Sequence, residues 1–546
     1  MSTVSTRPDS QADLPAGAES PDIVTQASRD RVLSERVWLV AAIAILVFGS
    51  ALRLHHLELV PLHHDEGVNG HFLTGLFRTL FYQYNPENYH GPSLYYFAFA
   101  SAYLLGLNTF AVRITTAVFG IATMWIILAS KKQLGDVGAL VSASLVAVSP
   151  GAVYLSRYFI HETLFVFFTV GAVVGLLRYR RTGKLSDLIF AWSSASLLFA
   201  TKETSVITIA VLLLAGIFTA LYMRLRHGPA AHSSDGPGAG DSLPSGTARC
   251  AAPKAEKRWI KVLQGNVKVA DWGSAAAIAI LLFLLFYSSF FANPRGIVDA
   301  LKAFKIWVRT GEQQHTHAWN AYITWLWQEE SALLILSGLG ALISILVAKS
   351  RLAIFVSLWA LGLLGAYSLI HYKTPWLVLN FIIPMTIVVG CTAEAVFKNR
   401  RSWVRLAGAV LLCGALSVSL FQCIRLNFFH YDDEQEAYVY AHTQREFLGL
   451  LSDIQDAVDR AGTGKTTPIT VTTPEYWPLP WYLRSYTNVG YWGTIKNNGA
   501  SLVVGSESQQ EQLEQALGDQ YIRVGQYPLR PGVVLILYTR RDAVPG

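Results

Sequence analysis

Eleven stretches of this chain are long, apolar and almost free of charge: Val37 to Leu54, Phe110 to Ser130, Val137 to Leu155, Leu164 to Leu177, Leu188 to Thr201, Ser205 to Met223, Trp272 to Phe291, Ala332 to Ala348, Leu352 to Ile370, Trp376 to Phe397 and Val404 to Ile424. In hydrocarbon every backbone N–H and C=O must find its partner within the segment, so such runs fold as bilayer-spanning helices. An apolar fraction of 52% against a charged fraction of 15% excludes an ordinary soluble domain. The expected architecture is an all-α polytopic membrane domain of about 11 spans.

Charge orients these spans. Basic clusters stay on the cytoplasmic side, and they occur at Arg29, Arg31 and Arg36, at Lys131-Lys132, from Arg178 to Lys184, in the loop from Arg224 to Asp271, from Lys349 to Arg351 and from Lys398 to Arg401. Placing all of them inside puts residues 55–109, 156–163, 202–204, 292–330, 371–375 and everything after 425 outside, with the N-terminus cytoplasmic and the C-terminus extracytoplasmic in a plasma (inner) membrane. The formal charge of +7 is accounted for by topology, not by nucleic acid. The apolar run Leu94 to Leu107 is short for a span, so residues 71–107 are expected to be interfacial or re-entrant helices.

Three regions follow: a disordered N-terminus over 1–36, a transmembrane domain over 37–428 with a disordered loop at 224–271, and an extracytoplasmic domain over 429–546. In the last, helical periodicity over Glu436 to Ala461 and Gln509 to Leu517 alternates with short strands at Ile469 to Thr472, Ser501 to Gly505, Tyr521 to Val524 and Val533 to Tyr538, the pattern of a small α/β domain. The four cysteines have neither metal-type nor disulfide spacing. Gly462-Thr463-Gly464-Lys465-Thr466 resembles a phosphate loop but lacks its first glycine and precedes its strand, so it is a turn. The aromatic run Tyr476 to Tyr482 is expected to rest on lipid headgroups.

With this topology the reactive side chains gather at one face. After the first span stand His63-His64-Asp65-Glu66-Gly67, an adjacent acid pair that needs water or a cationic partner. His90 precedes Gly91-Pro92. Arg157, Tyr158, His161 and Glu162 occupy the next outer turn, and Glu162 opens a helix, where a carboxylate suits the dipole. Lys202-Glu203 interrupts two apolar runs with almost no loop, at a depth suited to binding phosphate. His315-Thr316-His317 is a partial metal signal with no third ligand nearby. Lys373 lies at a membrane boundary, where snorkelling serves as well as phosphate binding.

The order of these features, an acid pair after the first span, an HGP step into a short apolar helix, SRYxxxE after a Ser-Pro-containing span and a TKE turn, is similar to that of the GT-C glycosyltransferases. Within them it resembles the protein O-mannosyltransferase and aminoarabinose-transferase-like branch and the flippase-associated bacterial and archaeal proteins. The resemblance covers the membrane portion to about residue 430 and is most specific over 60–205. It implies a polyprenyl-phosphate-linked sugar as donor and an extracytoplasmic site. It also implies that Asp65 is the essential first-loop aspartate, that Glu162 is the acid opening the later helix, that His90 lies close to metal or phosphate and that Lys202 faces the donor phosphate. Two departures stand out: Gly91 replaces a lysine of the aminoarabinose transferases, and position 162 holds Glu instead of Asp.

The expected activity is inverting transfer of a sugar from a polyprenyl-phosphate donor to a glycan, lipid or protein acceptor. Asp65, Glu66 and Glu162 are the candidate catalytic acids, with Asp65 as general base; Arg157, Lys202 and Lys373 are the candidate phosphate ligands. A divalent metal ion held by His90, His315 and His317 is the candidate cofactor. The rival class is a lipid-linked sugar flippase or transporter component, which places ionisable residues at the bilayer midplane and often shows repeated halves.

Overall fold

The structure is a computed structural model that describes residues 32–227, 268–310, 316–347 and 350–543. Its helices are α1 (Glu35–Leu54), α2 (His64–Thr79), α3 (Ser93–Leu105), α4 (Thr109–Leu128), α5 (Asp136–Val148), α6 (Pro150–Ser156), α7 (Glu162–Thr182), α8 (Leu185–Phe199), α9 (Ser205–His227), α10 (Val269–Tyr287), α11 (Arg295–Thr310), α12 (Ala321–Glu329), α13 (Ser331–Leu346), α14 (Arg351–Leu369), α15 (Leu379–Phe397), α16 (Ser402–Ile424), α17 (Phe447–Ala461) and α18 (Gln510–Leu517). Among the described residues, 8 helices are long and apolar enough to cross a membrane, or up to 10 if each bent pair is one span. The chain is a multi-pass membrane protein.

The difference from eleven uninterrupted runs has local causes. The run from Val137 is broken between α5 and α6 by 63°, because Pro150 has no N–H to continue the ladder and holds Ser149 extended. The pair α12 and α13 bends by 116° at Glu330. The two breaks satisfy each other: Glu330 Oε1 accepts from Ser149 Oγ at 2.5 Å and from the Gly151 amide at 2.9 Å. The run Leu188 to Thr201 becomes the 15-residue α8, too short to pass the same test. Leu94 to Leu107 becomes α3, 13 residues long.

Beyond α16 the chain builds a five-stranded sheet from β1 (Ile469–Val471), β2 (Val489–Tyr491), β3 (Leu502–Ser506), β4 (Tyr521–Arg530) and β5 (Val533–Arg540), in the order β2-β1-β3-β5-β4. β1 is parallel to both β2 and β3, while β5 runs antiparallel to β3 and β4. The three-residue edge strand β2 has no sequence signal of its own. α17 starts at Phe447, not at Glu436, because the preceding residues are held elsewhere: Arg425 Nη2 binds both oxygens of Glu436 at 2.6 Å, and the Gln444 amide donates to Leu529 O at 3.0 Å.

The sheet region docks on α2. A Cβ at Gly67 would lie 2.6 Å from Pro478 Cβ, and one at Gly70 would lie 2.5 Å from Trp481 Cε3. The aromatic run expected on lipid headgroups is therefore an internal joint: Trp481 is buried and its Nε1 donates to Thr109 Oγ1 at 3.2 Å, while Tyr482 Oη accepts from the Leu62 amide at 2.8 Å. Arg484 Nη2 reaches Leu107 O at 2.8 Å. Gly75, on the same helix, has no atom within 4 Å of an added Cβ. Gly70→Ala is expected to lower the unfolding midpoint of the purified protein, overpacking the joint at a cost of about 1–3 kcal/mol, whereas Gly75→Ala does not; equal midpoints for the two variants would contradict this docking.

Candidate active site

The acid pair begins α2. His63 is its N-cap, accepting the Asp65 amide at Nδ1 (3.1 Å), while Glu66 Oε2 accepts the His63 amide at 3.0 Å, a reciprocal cap. The cap sends the two carboxylates in different directions. Glu66 is fully buried and takes Arg113 Nε at 2.8 Å, Arg113 Nη2 at 2.6 Å and the Phe159 amide at 2.8 Å. With its oxygens so occupied, Glu66 does not line the pocket, unlike its neighbour in the expected catalytic set. Asp65 is half-buried, lines the pocket and makes no side-chain hydrogen bond among the described residues.

Next comes the HGP step. Gly91 donates its amide to Thr201 O at 3.0 Å, and an added Cβ there would sit 2.1 Å from Ala200 O. Ser93 repeats the attachment, its amide to Ala200 O at 3.0 Å and its Oγ to Thr201 Oγ1 at 2.8 Å. The step thus lies directly on the turn between α8 and α9, and His90 Nδ1 meets Glu203 Oε2 at 2.9 Å. Lys202, one residue earlier, extends to Glu162 at the first position of α7, with Nζ to Oε1 at 2.5 Å and both side chains almost fully buried.

These groups share a cavity of about 900 Å³ at one end of the helices. Its walls include Asp65 from α2, His90, His161 and Glu162, Lys202 and Glu203, Trp307 from α11, Tyr367, Ile370, His371, Tyr372 and Trp376 around the end of α14, and Tyr440, Glu475 and Arg530 from the C-terminal region. α7 leaves this cavity at Glu162 and ends at the basic residues Arg180 and Arg181, and α15, which starts just past Leu377, ends beside Lys398. The pocket and these basic turns therefore occupy opposite ends of their helices.

Electrostatics inside the pocket is set by pairing. Burial raises the Glu203 carboxyl, but His90 and Lys202 outweigh it and hold the group below its ordinary value. Burial opposes the Lys202 charge as well, and Glu162 with Glu203 reverses that, holding the ammonium above its usual range. Burial, with His90 and Lys202 nearby, holds His161 well below its usual value, so it is neutral. Burial takes His64 down to about 4, with Asp65 opposing and His63 and Arg530 reinforcing the shift. Burial raises the Tyr89 hydroxyl, Glu203 and Asp65 add to this and Lys202 opposes it; Asp65 and Lys202 thus act on one tyrosine in one chamber.

Other expected site residues lie elsewhere. Arg157 gives its guanidinium to the carbonyl oxygens of Leu52 (3.1 Å), Arg53 (3.3 Å), His55 (2.6 Å) and His56 (2.8 Å). It closes the end of α1 and does not line the pocket, apart from the other expected phosphate ligand, Lys202. Lys373 Nζ is turned to Ile370 O and His317 O and is likewise absent from the lining. His317 packs on the rings of Trp325 and Tyr440, and His315 falls outside the described residues. Among the described residues His90 and His317 belong to no group of three ligating side chains. The one such group, His430, Asp433 and Glu436, already carries Arg425 on Glu436. Among the described residues, His90 and His317 are not brought together as metal ligands. Arg530 and Glu475 went unnoticed in the sequence; the Arg530-Pro531-Gly532 turn between two strands is the signal that places an arginine at a hairpin tip.

Residues 89–231 match the family described as dolichyl-phosphate-mannose-protein mannosyltransferase. No curated protein matches the chain by sequence. In fold the chain is similar to ArnT from Cupriavidus metallidurans bound to undecaprenyl phosphate (TM-score 0.61, 12% identity, covering 94% of this chain and 100% of that one) and to the same protein in the apo state (TM-score 0.61, 11% identity, 94% and 99%). The oligosaccharyltransferase of Archaeoglobus fulgidus, in complex with Zn and sulfate, aligns with a TM-score of 0.48 at 12% identity over 92% of this chain and 74% of that one. The chain shares its fold with ArnT, a GT-C-like fold as the order of its motifs implied.

Because Glu203 is held below the ordinary carboxyl range, the stability it contributes is present above about pH 4.3 and is lost as the pH falls through its lower folded value. Glu203→Gln is expected to cost about 1–3 kcal/mol near neutral pH, and the gap to wild type should shrink below about pH 4. Unfolding midpoints measured across this range check it; a gap that widens on acidification has the wrong sign.

Proposed function

We propose that the protein is a membrane glycosyltransferase that moves a sugar from a polyprenyl phosphate to an acceptor hydroxyl at the extracytoplasmic face, with inversion at the anomeric carbon. One observation carries this reading: a single chamber contains an unengaged carboxylate, Asp65, and a buried ammonium, Lys202, on a fold shared with a protein solved bound to undecaprenyl phosphate.

The acceptor oxygen attacks the anomeric carbon as the bond to the donor phosphate breaks. The hydroxyl proton needs a base on the attacking side, and Asp65 is a half-buried lining carboxylate with lone-pair capacity and solvent access. The leaving phosphate needs its developing charge neutralised more than it needs a proton. Glu162 engages one of the three N–H donors of Lys202, which leaves two for phosphate oxygens. Glu162 orients that ammonium and does not compete as base, since Lys202 holds its carboxylate. The amide of Gly91 is already committed to Thr201, so His90 and Lys202, not backbone, face the phosphate.

The flank formed by Ile207, Trp307, Ile370 and Leu377 is apolar, which suits an isoprenoid entering from the bilayer while its headgroup meets Lys202. The basic ends of α7 and α15 on the far side fit a cytoplasmic placement there, with the pocket and the C-terminal sheet outside.

Asp65→Asn keeps the size of the side chain and removes the base. Transfer from a radiolabelled undecaprenyl-phosphate sugar is expected to fall by about 10²–10⁴-fold, with undecaprenyl phosphate still bound; full activity in this variant would remove Asp65 from the reaction.

A further inference from the structure

The C-terminal sheet does more than cap the pocket; it places a cation in its wall. β4 and β5 are joined by Pro531-Gly532, with Arg530 paired to Val533 across the hairpin and Gly532 at φ +73°. Proline followed by a residue of positive φ makes a tight turn that fixes the direction of the residue before it. The hairpin is tied to the segment that precedes α17 through Leu529, whose carbonyl accepts the Gln444 amide at 3.0 Å. The Arg530 side chain is only 13% exposed and lines the same chamber as Asp65 and Lys202. One guanidinium nitrogen, Nη1, lies 3.4 Å from both His64 Nδ1 and Trp477 O; the other, Nη2, is paired with Glu475.

That partner differs in kind from the partner of Lys202. Glu162 is buried and shared with no solvent, whereas Glu475 is 51% exposed on the loop after β1. An ion pair with one partner in water is weak and exchanges readily for another oxyanion. Arginine presents a planar fork that matches carboxylate and phosphate alike. His64, between Asp65 and Arg530, keeps this cation on the side of the chamber where the proposed base stands.

We infer that Arg530 is a specificity-determining residue that holds an oxyanion, a carboxylate or phosphate, of the acceptor, with Glu475 as the exchangeable carboxylate that occupies its fork between turnovers. This rests on the glycosyltransferase reading above and adds the substrate class: an acidic acceptor, held by its charge at Arg530 and presented by its hydroxyl at Asp65. The same chemistry has a second source, the phosphate of the donor lipid, and the experiment separates them.

Full-length protein in nanodiscs is titrated with inorganic phosphate and, separately, with undecaprenyl phosphate, for wild type, Glu475→Gln, Arg530→Gln, the double variant and Lys202→Gln. Freeing the fork should tighten inorganic phosphate binding about fivefold in Glu475→Gln, the size of a half-exposed ion pair, and the gain should vanish when Arg530→Gln is added. Undecaprenyl phosphate should bind Arg530→Gln as it binds wild type and bind Lys202→Gln more weakly. No gain in Glu475→Gln, or a gain that survives loss of Arg530, overturns the exchange; loss of undecaprenyl phosphate binding in Arg530→Gln moves the residue to the donor and overturns the acceptor assignment. Failure of wild type to bind undecaprenyl phosphate at all counts instead against the glycosyltransferase reading, and it leaves the phosphate arm to decide the exchange at Arg530.

Discussion

The backbone of Gly91 rests on the carbonyl of Ala200, and the pocket is built outward from that contact. An added Cβ would stand 2.1 Å from the carbonyl oxygen, so only glycine allows the loop before α3 to join the turn between α8 and α9 by main-chain hydrogen bonds. Once it has done so, Ser93 meets Thr201, His90 meets Glu203, and Lys202 is turned toward Glu162. Two short segments more than a hundred residues apart in sequence thereby become one rigid wall.

Pairing then decides which carboxylate is left to serve as the proposed base. Removing a charge from water is costly unless a partner and hydrogen bonds compensate it, and at several buried carboxylates the compensation is visible: Arg113 and two amides for Glu66, Lys202 for Glu162, His90 for Glu203, and Ser149 and Gly151 for one oxygen of Glu330. Asp65, half-buried in the pocket, has no such partner among the described residues. Glu330 carries a structural duty of the same kind, since it supplies an acceptor to one broken helix while sitting at the break of another.

The convergence of the outer turns was legible because ionisable residues are expensive in lipid and must collect where water or partners are. Asp65, His90, Glu162 and Lys202 all line the chamber. What sequence could not separate is a cation that binds substrate from one that closes a helix. Arg157 has the same neighbours in sequence under both readings, and only the four carbonyl oxygens around it decide. Glu66 differs from Asp65 by one position, yet a helical step of about 100° sends it inward. The docking surface was hidden for another reason: Gly67 and Gly70 show no preference for Pro478 and Trp481 until the chain has folded over some four hundred residues, so the aromatic run reads as a membrane belt. The sheet was foreseen in its alternation of strands and helices, but the hairpin tip that carries Arg530 into the pocket was not.

The account is tested most directly by an experimental structure of the protein with undecaprenyl phosphate bound. The phosphate is expected to contact the ammonium of Lys202 inside the chamber, with the carboxylate of Asp65 facing the same space and the isoprenoid leaving past Ile207 and Trp307. A phosphate bound outside the chamber, or one held there with Lys202 still turned wholly to Glu162 and Asp65 engaged by another side chain, would contradict it.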